Sequence, residues 1–405
     1  MRILYLHQFF TTREGSGGTR SYEFARHLVG AGHRVTMVTA GGESVVRRRY
    51  SVDGIDVVEV RGGYADYMRA TARPNASRIA AFGGFAAAAT AAALRAPRPD
   101  VVFATSPALT IAIPGVAAAR RHRAPLVFEV RDLWPRAPIE MGALRDPVAR
   151  ALATRLEHAA YSASEHVVAL SPGMRDGVVA AGVDPGDVTM IPNAADLDLF
   201  FPDLDPGDVR GALGIDPSTF VASYFGTMGE ANDLGQVVRA AQLLRDRGEE
   251  GVIFVLQGDG KRRPALAAEV ERLGLRNVVL APASDKGSAA RLAAASDACM
   301  TIFKDVPVLA TNSPNKLFDT FAAGRAAIVN TAGWQRELVQ DNDAGVFTRP
   351  GDPADLADQV MALRDDPERT RRMGANGRAL AEREFDRRLL GERLRGVLET
   401  AAGIG

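Results

Sequence analysis

"FVASYFGTMGEANDLGQVVRAAQLLRDR", residues 220–247, decides the fold. A short apolar run ends in a glycine turn, and a helical stretch, Leu234–Arg247, follows. The same grammar recurs in both halves of the chain. In the first half the strand runs are "RILYLH", "RVTMVT", "DVVEV", "DVVFAT", "LVFEV" and "HVVALS". In the second they are "FVASYFG", "VIFVLQG", "NVVLAP", "ACMTIF" and "AAIVN". Helical segments such as Thr19–Ala31 and Ala265–Leu273 lie between most of them. Continuous apolar strands separated by helices predict parallel sheets covered on both faces. Each half therefore reads as an open, doubly wound, Rossmann-like α/β domain.

The boundary is legible in "MIPNAADLDLFFPDLDPGD", Met190–Asp208, which is rich in Pro and Asp and lacks helical periodicity. The expected organisation is a first domain over residues 1–195, a linker over 196–216 and a second domain over 217–384. A C-terminal helix over 385–405 follows, with apolar residues at Leu389, Leu390, Leu394, Val397 and Leu398, and is expected to pack back on the first domain. Two such domains facing each other form a cleft between the C-terminal ends of their strands, where doubly wound sheets bind ligands.

Composition narrows the function. Lys plus Arg and Asp plus Glu both number 49, so the formal net charge is zero and a generic nucleic-acid binder is disfavoured. The single cysteine, Cys299 in "ACMTIF", rules out a disulfide framework and reads as a buried core thiol. The N-terminus, "MRILYLHQFF", is too short and polar for a secretory signal and reads as a first strand, so a cytoplasmic location is expected. The longest apolar stretch, Ile79–Leu94, is Ala-rich and shorter than the roughly 20 residues of a membrane span. It is a buried or half-buried helix, or else a face that meets a lipid-linked substrate. Arg61, Arg69, Arg73 and Arg78 before it suit an anionic surface, and with it peripheral contact at the inner face of the cell membrane.

The strand-to-helix turns carry the chemistry. "REGSGGTRSYEFARHL" places Gly15, Gly17 and Gly18 before a helix, whose free N–H groups and dipole suit a phosphate or sugar oxygen; a merely flexible loop fits as well. "YFGTMGEANDL" places Gly226 and Gly229 after a strand. "LQGDGKRRPAL" adds Gly258 and Gly260, then Lys261, Arg262 and Arg263, which is a diphosphate site or a solvated basic helix start. In "SPNKLFDTFAAGR", residues 313–325, Ser313 or Asn315 can cap a helix, and Lys316 lies in its first turn against the dipole. Lys316 and Asp319 share one face, so they hold a phosphate and a vicinal diol together, or form a solvent-facing ion pair. "FEVRDLWPRAP" ends a strand with Arg131, Asp132 and Trp134, a site that receives a substrate or a structural Arg–Asp pair. The histidines show no metal-ligand spacing, the Asp-x-Asp pairs fall in the linker, and G-x-S-x-G and P-loop patterns are absent.

These segments together resemble the retaining glycosyltransferases of family four, which have the GT-B fold, and are most similar to the branch that builds bacterial surface polysaccharides, including N-acetylfucosamine-type transferases. The resemblance runs through "GGTRSYEFARHLVGAGHRVTMVT", "RDLWP", "IPNAADLDLFFP", "YFGTMGEANDL", "LQGDG", "ASDACMTIF", "SPNKLFDTFAAGR" and "DPADLADQVMAL", nearly the whole chain. It implies a nucleotide-sugar donor, with uridine as the base, bound mainly by the second domain, and an acceptor bound mainly by the first. It implies metal-independent transfer with no cofactor beyond the donor itself. By resemblance Gly17, Gly18, Gly226 and Thr227 approach the diphosphate, Arg263 or Lys261 supplies charge, and Asp319 holds the ribose. Lys316 and Asp132 are the catalytic candidates, with Asn315 beside them on the donor. Thr311 stands where many relatives have a glutamate, and the usual Arg and Lys of the diphosphate loop are missing from "GTMGEANDL", so Lys316 and the cations at 261–263 take over that charge. The acceptor is open between a lipid-linked saccharide and a small molecule, as in a natural-product glycosyltransferase. An inactive partner subunit and a nucleotide-sugar epimerase are the competing readings.

Overall fold

Every apolar run read as a strand forms one in the computed structural model, which describes residues 1–15, 18–42, 45–62 and 75–404, with the backbone alone at 75–79. The first sheet contains β1 (Arg2–His7), β2 (Arg34–Gly41), β3 (Arg47–Val52), β4 (Ile55–Arg61), β5 (Val101–Thr105), β6 (Leu126–Val130), β7 (His166–Ala169) and β8 (Val188–Met190). Its order is β3-β4-β2-β1-β5-β6-β7-β8. The second contains β9 (Phe220–Phe225), β10 (Val252–Gln257), β11 (Val278–Ala281), β12 (Ala298–Thr301), β13 (Ala326–Val329) and β14 (Gly345–Phe347), in the order β11-β10-β9-β12-β13-β14. All pairings are parallel except β3 with β4. Sequence patterning missed three strands. β3 is an edge strand of mostly exposed, Arg-rich residues, and β8 and β14 are three residues each, too short to show a period.

Successive residues of a strand point to opposite faces, and β9 shows why its run must be apolar throughout. Ala222 and Tyr224 join a core with Val237, Phe254 and Leu356, while Phe225 joins a second core with Phe200, Phe318 and Phe321 on the other face. Each face is covered by helices, so neither side of the strand can be polar.

The chain divides into two compact units, one of residues 1–192, 311–313 and 388–405, the other of 193–310 and 314–387. The boundary falls at 192/193 rather than 195/196. The expected linker is not a free connector, because Phe200 is fully buried and stacks on Phe225 at 5.9 Å within the second unit. The C-terminal helix Arg387–Ala401 buries Leu390, Leu394 and Leu398, and its residues from Arg388 onward belong to the first unit, where Glu392 meets His27 at 2.8 Å. The Ala-rich stretch lies in the helix Asn75–Leu94, which buries Phe82, Phe85, Ala89 and Ala93, the first of its two expected readings. Arg69 and Arg73, and the side chain of Arg78, lie outside the described residues. Among the described residues no helix is long and apolar enough to cross a membrane.

In the first unit one buried ion pair ties the glycine turn's helix to the sheet. Arg20, first residue of the helix Arg20–Gly30, donates to Glu129 Oε1 from Nε at 3.0 Å and from NH2 at 2.8 Å. It also donates to the carbonyls of Ile191, at 2.8 Å, and Pro192. The Thr105 hydroxyl donates to the other Glu129 oxygen. Both side chains are almost fully buried, at 3% and 0% exposure, so removing one partner strands a charge. Arg20→Met should lower the unfolding free energy by about 3–5 kcal/mol in urea titrations, and Arg20→Met/Glu129→Leu should recover much of that loss.

Candidate functional site

The chain order of the second sheet reverses between β9 and β12, and a doubly wound sheet binds ligands in the crevice at such a switch point. Gly226 follows β9, and Gly258 and Gly260 follow β10. The two turns are laced together by their backbones. Gly226 N donates to Gln257 O at 3.0 Å, Met228 N to Asp259 O at 2.8 Å and Arg262 N to Met228 O at 3.0 Å. A Cβ on Gly258 would lie 1.9 Å from the Gly226 carbonyl oxygen, and Gly258 sits at φ +156°, so this close approach requires glycine there. The "GDG" signal thus has a packing cause of its own.

Lys316 lies on the helix Asn315–Ala322, on the far side of the switch point from β9. Neither Ser313 nor Asn315 caps that helix. Pro314 occupies the N-cap in extended geometry, and no side chain makes the capping bond. The Lys316 ammonium donates to the Tyr224 hydroxyl at 2.7 Å, and that hydroxyl donates to the Thr227 carbonyl at 2.6 Å. It also sits 4.0 Å from the Tyr224 ring centroid and 3.6 Å from where a Cβ on Gly226 would be. Burial pulls the ammonium down to about 7. Among the described residues no carboxylate forms an ion pair with Lys316. The sequence-level alternative of a Lys316–Asp319 pair is therefore not what forms.

Asp319 turns instead toward a second charge cluster. Lys286 Nζ is 3.7 Å from Asp319 Oδ1 and 2.9 Å from Asp196 Oδ2, and Arg387 meets Asp196 Oδ2 at 2.6 Å. Asp319 is 4% exposed, and its Oδ1 has no hydrogen-bond partner. Burial pushes its carboxyl up to about 6, opposed by Lys286. Asp196 faces burial too, but Lys286 and Arg387 hold it below the usual carboxylate range. Asp319, one turn into the helix, is buried, and Lys286, Asp196 and Arg387 were not singled out from the sequence.

The expected diphosphate cations are partly engaged already. Lys261 lies 3.6 Å from Glu230 and Lys304 3.4 Å from the same carboxylate, inside the loop "GTMGEANDL". Burial opposes ionisation of Glu230, yet Lys304, Arg262 and Lys261 hold its pKa below the usual value. Arg263 opens the helix Arg263–Leu273, and its Nε is buried without a hydrogen-bond partner.

In the first unit Gly17 lies outside the described residues, and Gly18 sits two residues before the helix Arg20–Gly30. Asp132 follows β6, and burial pushes its carboxyl up to about 6, with Arg131 opposing. Arg131 and Asp132 form no ion pair. The Arg131 amide donates to Ser106 Oγ at 3.0 Å, and its guanidinium lies 3.4 Å from His7 Nε2. His7 is held neutral by burial and then by Arg131, while its Nδ1 pairs with Ser21 Oγ at 2.9 Å. His7, Thr105 and Glu129 stand at the C-terminal ends of adjacent strands, a polar cluster that the apolar reading of those strands concealed. Cys299 is buried in β12 with its thiol pushed up to about 11 by burial, as expected of a core thiol. Among the described residues no group of three or more His, Cys, Asp or Glu side chains could hold a metal ion.

Known proteins share this architecture. Residues 15–194 match the glycosyl transferase 4-like domain and residues 219–366 match the glycosyl transferases group 1. A putative colanic acid biosynthesis glycosyl transferase, WcaI of Escherichia coli K12, is 26% identical over 340 residues, covering 80% of this chain and 81% of that one. The sucrose-phosphate synthase of Thermosynechococcus elongatus superposes with a TM-score of 0.80 at 16% identity over the full length of both chains. Anabaena HepE in complex with UDP-glucose superposes at 0.73 with 18% identity, over 99% of this chain and 100% of that one. With both of its Rossmann-like domains matched in order, the chain belongs to the GT-B glycosyltransferases of the family-four type.

Proposed function

We propose that this glycosyltransferase moves a sugar from a uridine diphosphate sugar to an acceptor hydroxyl, with retention at the anomeric carbon and without a metal ion. The observation that carries the reading is the Lys316 ammonium, held on the Tyr224 hydroxyl beside the Gly226 turn at the switch point of the second sheet. In the transfer the bond from the anomeric carbon to the diphosphate oxygen breaks, and the acceptor oxygen bonds to that carbon on the same face. The acceptor proton passes to the leaving phosphate. Negative charge builds on the diphosphate as it leaves, so a partly desolvated cation placed there lowers the barrier. Lys316 supplies that cation, with Arg263 and Lys261 behind it and the backbone of Gly226 and Thr227 alongside.

Asp319 takes the ribose hydroxyls through Oδ1, the oxygen that accepts no hydrogen bond within the protein. Asn315 contributes to the same donor face. In the first unit Asp132 orients the sugar or the acceptor, and Gly17 and Gly18 offer backbone N–H groups. The base rests on the family resemblance, and the similarly folded HepE holds UDP-glucose. The relative named for colanic acid biosynthesis supports a place in polysaccharide assembly, and the acceptor of this reading is a lipid-linked saccharide.

A panel of nucleotide sugars should give free nucleoside diphosphate with the wild-type protein. Lys316→Ala should lower kcat about 100-fold, the scale of losing one transition-state donor, with a smaller change in KM. An intact rate in Lys316→Ala, or no nucleotide release from any donor, overturns the reading. The pH profile gives a second test. Lys316 is cationic below about 7 and neutral above it, so kcat/KM should fall as pH rises through that value. Lys316→Arg keeps its charge at every accessible pH and should flatten that limb even if its rate is lower.

A further inference from the structure

The first unit carries an arginine-lined pocket at the edge of the sheet opposite Asp132. Arg95, Arg98, Arg121 and Arg123 line an open pocket of about 760 Å³ together with Leu94 and His122. Leu94 ends the helix Asn75–Leu94, and Arg121 and His122 end the helix Ala112–His122. Arg98 precedes β5 and Arg123 precedes β6, so the pocket lies at the N-terminal edge of those strands. Asp132 follows the C-terminal end of β6, five residues or roughly 16 Å further along the strand.

All four arginines are exposed, and none of them forms an ion pair among the described residues. Arg136, Arg247 and Arg378 are matched elsewhere on the surface, by Glu140, Asp358 and Glu382, whereas these four unpaired arginines share one pocket. The nearby Asp100 accepts a hydrogen bond from the Arg2 amide at 2.6 Å. The helix ends explain part of the clustering. Arg95 donates to the Ala91 carbonyl at 2.9 Å, and cations suit a helix C-terminus. Two helix termini together offer roughly one unit of negative charge, against four guanidinium charges. His122 is turned away into the protein, its Nε2 donating to the Ala93 carbonyl at 3.0 Å. The remaining positive charge lines an open, shallow concavity with room for a small molecule. Guanidinium forks recognise phosphate oxygens in pairs.

We propose that this pocket binds a phosphate-bearing anion, separate from the donor. A free phosphate ester and a phospholipid headgroup share that chemistry, and the exposed Leu94 at the rim is compatible with either. The test compares Arg98→Glu/Arg121→Glu with Arg272→Glu/Arg276→Glu, an equal change of charge on the second unit. Both pairs are built on Lys316→Ala, so that diphosphate binding at the proposed donor site does not mask the pocket. If Lys316 has no such role, the difference between the two pairs still reports on the pocket alone. Inorganic pyrophosphate is titrated calorimetrically at low salt, and sedimentation with phosphatidylglycerol vesicles is measured beside phosphatidylcholine vesicles.

Pyrophosphate affinity about tenfold weaker in the pocket pair than in the control pair supports the proposal, with a soluble ligand. Equal pyrophosphate affinity with phosphatidylglycerol binding lost only in the pocket pair also supports it, with a headgroup as the ligand. Equal behaviour of the two pairs in both assays overturns it. Should the pocket pair fail to fold, Arg98→Gln/Arg121→Gln replaces it, with the same outcomes read in the same way.

Discussion

The hydrogen bond from Lys316 to Tyr224 is the interaction on which the second unit's site depends. A desolvated ammonium is costly unless it is partnered by charge, and here its partner is a neutral phenol whose own ionisation burial opposes. The phenol is fixed from the other side by the Thr227 carbonyl. Helix start, strand end and glycine turn are thereby locked together at the switch point of the sheet. What the protein leaves unsupplied at that place is a negative charge. A site that holds a cation this way is preorganised for an anion and need not reorganise when charge develops.

The two charged residues of "SPNKLFDTFAAGR" have opposite fates. Lys316 faces the glycine turns, whereas Asp319 joins Lys286, Asp196 and Arg387. In that cluster Asp196 carries most of the pairing and Asp319 the least, which is why burial dominates the Asp319 carboxyl. The asymmetry leaves one carboxylate oxygen of Asp319 without a hydrogen bond.

Much of the fold was legible because a strand covered on both faces must be apolar along its whole length, and such runs are visible in any sequence. The edge strand β3 and the three-residue strands β8 and β14 were not, since exposure or brevity removes the pattern. The expected linker failed for a related reason: its Pro and Asp content marks irregular backbone, yet Phe200 anchors it in a core. At the site, the glycine turns and Lys316 could be found from motif and spacing. Tyr224 could not, because within a strand it reads as one more apolar residue. Lys286 and Arg387 were hidden because they meet Asp196 and Asp319 from distant parts of the chain. Glu230 sat in plain view in "GTMGEANDL", but only the fold shows that it engages Lys261 and Lys304.

In the proposed mechanism Lys316 regains its proton when a diphosphate arrives. At pH 8 an ammonium pulled down to about 7 is mostly neutral, and the bound anion favours the charged form. Calorimetric titration with UDP at pH 8, repeated in buffers of different ionisation enthalpy, measures that proton directly. Uptake of about one proton per UDP bound is expected, lost in Lys316→Met. Binding without proton uptake, or equal uptake in Lys316→Met, would contradict it.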